Sequence, residues 1–264
     1  MKRWAALTLL AVAAIAVSVC IGGRPQITET ANASFIVNPY RFGAASADPY
    51  DAFFRFTSDA TTTLVNSGTS GTDGANGAGA AAMTWTSNTY VYADDGDYGN
   101  TQHPIASFES GDPWTVAMWV RFKSGDMATL SYFFGADSGG NNELLIYKTS
   151  TDTITTKAKE SDGTQEFTEG SVVLSVDTWY HVAYVYNGSN LLTLYVNGEV
   201  DATDATAYNA TVITNSHPFW IGGHNNAGSL GASDMNGDVD DFLWDDTALA
   251  SNVIYTIWQA ERSD

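Results

Sequence analysis

The chain has 264 residues, of which 11 are basic and 30 are acidic, and its formal net charge is −19. Only 16% of the residues are charged and 44% are hydrophobic, so the composition is that of a folded protein rather than a charge-rich disordered chain. The negative charge repels phosphate groups, which excludes general nucleic-acid binding. Asp outnumbers Glu by 22 to 8, and because Asp favours turns whereas Glu favours helices, an all-α protein is disfavoured. The single cysteine, Cys20, excludes a disulfide within the chain.

The first 22 residues have the pattern of an export signal. Lys2 and Arg3 precede an apolar run that extends to Gly23. A short basic segment followed by an apolar run is typical of a secretory signal peptide, so we predict that residues 1–22 are removed on export. Two alternatives stay open. The run is about 18 residues long, so it could be a retained anchor and the protein's contact with a membrane. The residues before Cys20 also loosely resemble a bacterial lipoprotein signal.

Two segments lack a regular hydrophobic pattern. Residues 23–52 are predicted to form an extended arm or linker, in which the short apolar segment Phe35–Phe42 is broken by Pro39. Further along, Asn66–Ala82 consists almost wholly of small residues and has no large apolar side chain to anchor it. This second segment is predicted to be a long loop.

The rest of the chain favours β-strands. Trp114–Phe122 alternates between two faces, with five large apolar residues on one face and Trp119 on the other. Trp179–Tyr186 and Leu191–Val196 flank an Asn-Gly-Ser-Asn turn and predict a β-hairpin, and Asn197-Gly198 predicts the next tight turn. Further strands are predicted at Phe53–Phe56, Glu143–Tyr147, Thr153–Ala158, Phe219–Ile221 and Asp238–Trp244.

One segment has a helical period. Leu249–Trp258 places its apolar residues on one side, and Ser251 would cap a helix that begins late in this segment. Many short strands with one helix at the end predict an antiparallel β-sandwich or jelly roll rather than an α/β fold.

Several motifs, in this order, resemble the laminin-G-like, concanavalin A-like jelly-roll family. Trp179-Tyr-His-Val-Ala183 is the most diagnostic, and Trp114-Thr-Val-Ala-Met-Trp-Val120 also matches the family pattern well. Leu192–Glu199 resembles the family's Leu-Tyr-Val-Asp-Gly hairpin, and Gly237–Phe242 resembles its closing strand. In Tyr90–Tyr98 the order of Asp and Gly departs from the family pattern. The resemblance implies one all-β, antiparallel sandwich domain over residues 53–260 with a short C-terminal helix, but the fold alone does not specify a function.

The sequence disfavours catalysis. Glycosidases that share this fold carry paired carboxylates on one strand, and the Glu-x-Asp-x-x-Glu form does not occur here. Asp238 and Asp240 share a strand face, but they lie in the segment that resembles the closing strand rather than the catalytic strand. His181 lacks a nucleophile partner and is predicted to be structural, and the remaining histidines, His103, His217 and His224, have loop-like contexts without metal-ligand spacing. We therefore expect a protein that is not an enzyme.

A structural calcium ion is one hypothesis for the acidic turns. Asp97 lies in an Asp-Asp-Gly-Asp segment and Asp240 in an Asp-x-Asp-Asp segment, and calcium prefers such oxygen ligands. The family resemblance implies a calcium ion at the rim of the jelly roll, with Asp97 and Asp240 as candidate ligands. The alternative is ordinary solvated turn carboxylates.

Three residues are candidates for ligand binding. Trp119 lies opposite the apolar stripe of its strand, where an aromatic ring could stack on a sugar, although a covered second face of the sheet would explain it equally. The amides of Asn225 and Asn226 could bond sugar hydroxyls, or could simply form a turn.

Together these patterns favour a secreted or cell-surface recognition module that binds carbohydrate or a cell-surface protein. The alternative is a structural or host-attachment protein of a virion or cell-surface assembly, because Phe35–Phe42 resembles the opening of some tailed-phage virion proteins. The export-like N-terminus argues against a particle that assembles in the cytoplasm. A glycoside hydrolase is disfavoured by the missing carboxylate motif.

Overall fold

The structure is a computed structural model. It describes residues 52–54, 63–64, 74–76, 83–86, 90–93, 97–104, 112–137, 143–159, 163–205, 218–230 and 233–261. The predicted signal segment and nearly all of the predicted arm lie outside the described residues. Among the residues described, there is no helix with the length and apolar character needed to cross a membrane.

The described chain forms two β-sheets, which we call the first and the second sheet. The first sheet has the strand order β14-β13-β12-β7-β18-β5-β4, with β1 paired to β18, and all of its pairs are antiparallel. Its strands are β1 (Ala52–Phe54), β4 (Thr84–Thr86), β5 (Tyr90–Ala93), β7 (Trp114–Phe122), β12 (Trp179–Tyr186), β13 (Leu192–Val196), β14 (Glu199–Asp204) and β18 (Gly237–Asp245).

The second sheet has the strand order β11-β10-β9-β8-β15-β6-β3-β2, and the short strand β16 joins it by a parallel pairing with β8. Its strands are β2 (Thr63–Leu64), β3 (Gly74–Asn76), β6 (Gly99–Pro104), β8 (Ser131–Asp137), β9 (Glu143–Lys148), β10 (Thr153–Lys159), β11 (Gln165–Val173), β15 (Pro218–Ile221), β16 (Asn225–Asn226) and β17 (Ser229–Leu230).

The hydrophobic core lies between the sheets. Strand β7 contributes Trp114 and every second residue up to Phe122, all at most 2% exposed. Trp114 packs edge-on against Tyr184 of β12, with ring centroids 5.2 Å apart, and Phe122 packs against Phe133 of β8. Burial of these aromatic side chains in the core stabilises the sandwich.

The outer face of the first sheet is covered in part by the C-terminal segment. The Thr115 hydroxyl of β7 donates to the Thr247 carbonyl at 2.7 Å and accepts from the Leu249 amide at 2.9 Å. Helix α1 (Ser251–Glu261) then packs on β14, and Trp258 lies over Gly198 in the turn before that strand. A Cβ at this position would lie 2.8 Å from the indole ring, and the residue has φ +77°, so the tight turn requires glycine.

The structure confirms the predicted jelly-roll sandwich and most of its strands. Strands β7 and β12 have the predicted bounds, the β12–β13 hairpin forms, and the helix begins at Ser251. The loop predicted for Asn66–Ala82 is wrong at Gly74–Asn76, which forms β3 between β2 and β6. Ladder hydrogen bonds come from the backbone, so small residues can join a sheet. His103, predicted in a loop, lies in β6.

Candidate functional site

Trp119 lies on the outer face of the first sheet, as its alternation predicts. Its strand neighbours are His181 on β12 and Asp240 on β18. The indole ring is only 8% exposed and meets the His181 ring edge-on, with centroids 5.4 Å apart. The ring therefore packs inside the protein, as in the covered-face alternative, and offers little surface for a sugar.

The two asparagines differ in their surroundings. Asn225 is 1% exposed, and its side-chain nitrogen donates to the Pro218 carbonyl at 2.9 Å while its side-chain oxygen accepts from the Gly228 amide at 2.7 Å. This amide shapes the β16–β17 turn, in keeping with the turn alternative. Asn226 is exposed, next to Asp137 of β8. A role in binding stays a prediction for both.

The two candidate calcium ligands lie in different surroundings, Asp97 just before β6 and Asp240 within β18. Asp97 is buried beside Gly222, where its carbonyl closely approaches the glycine. Asp240 lies in β18, and its carboxylate accepts from the amide of Asp241. Within the described part of the chain, no group of three or more His, Cys, Asp or Glu side chains could hold a metal ion. Calcium stays a prediction that would need backbone oxygens as further ligands.

The residues considered for acid or base chemistry are engaged in structural contacts. Burial lowers the pKa of His181 from 6.5 to about 3, so this side chain is neutral at physiological pH. Asp238 is buried between two cations, 2.6 Å from Nε of Arg121 and 2.9 Å from Nζ of Lys123. Neither residue has the surroundings of a general base that faces a substrate.

The outer face of the second sheet carries a group of aromatic side chains that the sequence analysis did not single out. We call this group the aromatic surface. Trp220 of β15 lies opposite Gly135 of β8, and Tyr132 of β8 lies opposite Tyr147 of β9. The ring contacts form two groups on this face, one of Trp220 with Tyr98 and one of Tyr132 with Tyr147 and His224. The members of the aromatic surface are Tyr98, Tyr132, Tyr147, Trp220 and His224.

Trp220 forms the floor of the aromatic surface. It stacks on Tyr98 with ring centroids 3.8 Å apart and an interplanar angle of 13°. The tryptophan is 5% exposed, so it packs inside the protein as Trp119 does, and among the described residues its indole N–H has no hydrogen-bond partner.

Tyr132 and Tyr147 form the accessible part of the aromatic surface. Both rings are half-buried, with centroids 5.2 Å apart, and Tyr132 also contacts the His224 ring at 4.4 Å. Burial raises the pKa of Tyr147 to about 12, and burial together with nearby carboxylates raises the pKa of Tyr132. Both hydroxyls therefore keep their protons and can donate hydrogen bonds at neutral pH.

A pocket of about 260 Å³ adjoins the aromatic surface through Asp234. The Asp234 carboxylate lines the pocket and lies 3.5 Å from Nδ1 of His224. Asp126, also in the pocket wall, accepts from the Ser131 hydroxyl at 2.8 Å and from the Asn236 amide at 2.7 Å. The pocket is lined by Gly125, Asp126, Thr129, Leu130, Ser233, Asp234 and Asn236.

A buried lysine holds the loop that forms one wall of this pocket. Lys148 is fully buried, and its ammonium group donates to the Thr129 carbonyl at 2.8 Å and to the Asp152 carboxylate at 2.9 Å. The same carboxylate accepts from the Ala128 amide at 2.8 Å. The Lys148 ammonium group therefore links the loop around Thr129 to the loop around Asp152, and this link keeps the pocket wall in place.

Comparison with known proteins finds a matching family model and solved structures that share the fold. A model of the concanavalin A-like lectin/glucanases superfamily matches residues 94–254. No curated protein sequence matches the chain.

Three solved structures illustrate the likeness of the fold. The receptor-binding domain of botulinum neurotoxin D is 14% identical with a TM-score of 0.62, and 81% of this chain covers 53% of that one. The binding domain of Paraclostridial Mosquitocidal Protein 1 is 14% identical, with a TM-score of 0.61 and the same coverage. The ligand-binding domain of botulinum neurotoxin serotype D in complex with N-acetylneuraminic acid is 13% identical with a TM-score of 0.61, and 81% of this chain covers 51% of that one.

The chain thus spans about half the length of the structures it matches, and at these identities the likeness is one of fold. The family match extends over more than half of the chain and includes β7, β12, β13 and β18, the strands that carry the motifs. The chain belongs to the concanavalin A-like lectin/glucanases superfamily.

Proposed function

We propose that this protein is a non-enzymatic recognition module that binds carbohydrate through the aromatic surface of its second sheet. The observation that carries the proposal is the pair of half-buried rings of Tyr132 and Tyr147 on the outer face of the second sheet, whose hydroxyls keep their protons at neutral pH. Sugars present apolar C–H faces that stack on aromatic rings and hydroxyls that accept hydrogen bonds, so one ligand class matches both features.

The expected setting is outside the cell. The basic and apolar N-terminal segment supports export, and the matched binding domains of toxins support a role in contact with a cell surface. Because the chain spans about half of those domains, their receptors are not assigned to it.

A binding role is supported over a catalytic one by the absence of the glycosidase motif and by the ion pairs of Asp238. Retaining and inverting glycosidases need two carboxyl groups that flank the scissile bond. The engagement of Asp238 with Arg121 and Lys123 leaves it poorly suited to that role.

A glycan array with matched variants tests the proposal. Tyr132→Ala and Tyr147→Ala each remove one accessible ring. We expect both variants to lose most of the binding. Tyr255→Ala is the control, because Tyr255 is 43% exposed on α1, away from the second sheet. An array without signal for folded wild-type protein, or release of reducing sugar that persists in homogeneous protein, would contradict the proposal.

A second candidate, a structural or attachment protein of a larger assembly, is favoured by exposed valines at the edge strands. Val173 of β11 is 65% exposed and Val200 of β14 is 53% exposed. Apolar side chains grouped at a surface are typical of protein–protein contacts. Concentration-dependent self-association of a protein that binds no glycan would favour this candidate, and size-exclusion chromatography with light scattering measures it.

A further inference from the structure

The turn between β12 and β13 holds an Asn-Gly dipeptide in a dense set of hydrogen bonds. The side-chain oxygen of Asn187 accepts from the backbone amides of Ser189 at 2.9 Å, Asn190 at 3.1 Å and Leu191 at 3.0 Å. The Ser189 hydroxyl donates to the same oxygen at 3.1 Å. Three successive amides that converge on one oxygen form a site that stabilises negative charge.

The two nitrogen atoms of this dipeptide that matter for its chemistry are not held. Among the described residues, neither the side-chain nitrogen of Asn187 nor the backbone N–H of Gly188 donates a hydrogen bond. Asn187 is exposed and Gly188 is half-buried, so water and hydroxide reach both. Glycine also has no Cβ to shield its nitrogen. The Gly188 nitrogen is therefore available as a nucleophile, and the Asn187 nitrogen is available as a leaving group.

These features meet the requirements of succinimide formation. Hydroxide removes the proton from the Gly188 amide, and its nitrogen attacks Cγ of Asn187. The negative charge then passes to the side-chain oxygen, which the converging amides bind more strongly than they bind the neutral oxygen. The Cγ–Nδ2 bond breaks, the departing nitrogen takes a proton from water and leaves as ammonia, and a five-membered ring remains. Water opens this ring at either carbonyl and gives aspartate or isoaspartate.

We propose that Asn187 is a site of self-modification, at which the Gly188 nitrogen converts the asparagine to aspartate and isoaspartate without an enzyme. The reaction replaces a neutral amide by a carboxylate on an exposed hairpin turn. The aspartate product keeps the oxygen that the amides bind, and its charge strengthens their hydrogen bonds. The isoaspartate product instead lengthens the backbone of the turn. This modification does not depend on the proposed carbohydrate binding.

Two other Asn-Gly dipeptides in the described part of the chain lack this arrangement. The side-chain oxygen of Asn197 accepts from the His181 amide at 3.0 Å, and the following Gly198 is buried. Asn236 precedes Gly237, which is buried in β18. Burial shields the glycine nitrogen from hydroxide, so we expect both dipeptides to react slowly in the folded protein.

Peptide mapping tests the modification. The full chain is incubated in mildly alkaline buffer, with and without concentrated urea, and chromatography with mass spectrometry separates the asparagine, aspartate and isoaspartate peptides. In the folded protein we expect Asn187 to be converted at least about tenfold faster than Asn197 or Asn236. In urea the three dipeptides lose their different surroundings, so their rates should converge, and Asn187 should react no faster than in the folded protein.

Three variants test the role of the turn. Ser189→Ala removes the hydroxyl donor but keeps the Asn-Gly dipeptide, so conversion of Asn187 should slow severalfold. Thr151→Ala is the matched control, because it removes an exposed hydroxyl from the β9–β10 turn and should leave the rate unchanged. Asn187→Asp supplies the aspartate product directly. It should raise the melting temperature by about 2 °C, because the amides then bind a carboxylate.

Three results would each overturn the inference. Slower conversion of Asn187 in the folded protein than in urea would show that the hydrogen bonds protect the side chain. Conversion in Ser189→Ala at the wild-type rate or faster would show that the converging donors do not promote the attack. A lower melting temperature for Asn187→Asp would show that the turn does not favour negative charge. None of these results bears on carbohydrate binding, which the glycan array measures separately.

Discussion

Trp119 and Trp220 both point away from the core between the sheets, yet their surroundings differ. Trp119 has the fully buried His181 as its ring neighbour, whereas Trp220 stacks on the half-buried Tyr98. Within the part of the chain that the structure describes, the Trp220 N–H also has no hydrogen-bond acceptor. Alternation along a strand places a side chain on an outer face, but only the neighbours decide whether that face is covered.

Replacement of Trp119 by alanine should therefore act on stability. We expect Trp119→Ala to lower the free energy of unfolding by about 3–5 kcal/mol, from lost burial and the cavity left behind. Trp119→Phe is the control and should cost less. Urea unfolding measures both, and the glycan profile of any folded fraction should stay unchanged. A stable Trp119→Ala variant that no longer binds glycan would restore Trp119 as a binding residue.

His181 should make stability depend on pH. In the unfolded chain the imidazole takes up a proton as the pH falls through about 6.5, but in the folded protein its lowered pKa of about 3 keeps it neutral. Between these values the unfolded state binds more protons, so the free energy of unfolding falls with the pH, by about 1.4 kcal/mol per pH unit. His181→Gln should show a shallower fall in urea unfolding between pH 6 and 4. Parallel curves for both proteins would contradict this prediction.

At the scale of elements, the sequence predicts strands whose pattern is regular and misses those whose pattern is broken. Strand β7 alternates without interruption, and its bounds agree with the prediction. Strand β8 has an irregular register between Tyr132 and Phe134, so two adjacent phenylalanines, Phe133 and Phe134, both join the core. Strand β11 is an edge strand with mostly polar, exposed residues. Neither pattern has the simple period of a half-buried strand.

The edges of the two sheets are joined by Asp201. Its carboxylate on β14 accepts from the Ser171 amide at 3.0 Å, the Ser171 hydroxyl at 2.8 Å and the Val172 amide at 3.1 Å, all on β11. These contacts satisfy backbone donors at an edge that could otherwise pair with another chain.

Removal of this link should weaken the sandwich. We expect Asp201→Ala to lower the free energy of unfolding by about 1–3 kcal/mol and to speed hydrogen exchange at the amides of Ser171 and Val172. Asp201→Asn keeps one acceptor oxygen and should cost less. Exchange rates that do not change in Asp201→Ala would show that the carboxylate does not protect this edge.

At the scale of the whole molecule, the fold could be predicted from the sequence but the aromatic surface could not. Phe219–Ile221 is predicted as a strand, and its alternation places Trp220 on the face opposite to Phe219. The stacking on Tyr98, however, depends on the pairing of β15 with β6, which joins residues more than one hundred positions apart. No local pattern specifies that pairing, and the same holds for the contact between Tyr132 and His224.

Calcium binding would stabilise the whole domain. An ion held by Asp97 and Asp240 only in the native state should raise the melting temperature, with about 2.7 kcal/mol of added stability at a 100-fold excess over the dissociation constant. Chelator should reverse the gain, and Asp240→Asn should reduce it. Identical melting curves in chelator and in millimolar calcium would contradict a calcium site.

Because the outer face of the first sheet is covered, substitutions on the outer faces of the two sheets should have different effects. Substitutions at Thr115, Trp119 or Gly198 should act on how much folded protein a cell accumulates, because these residues hold the C-terminal segment or pack beneath the surface. Substitutions at Tyr147 should leave abundance nearly unchanged and alter what is bound. In a library of single variants, surface display measures the amount of folded protein and glycan capture measures binding. Positions on the first sheet should lower display, whereas positions on the second sheet should lower glycan capture alone.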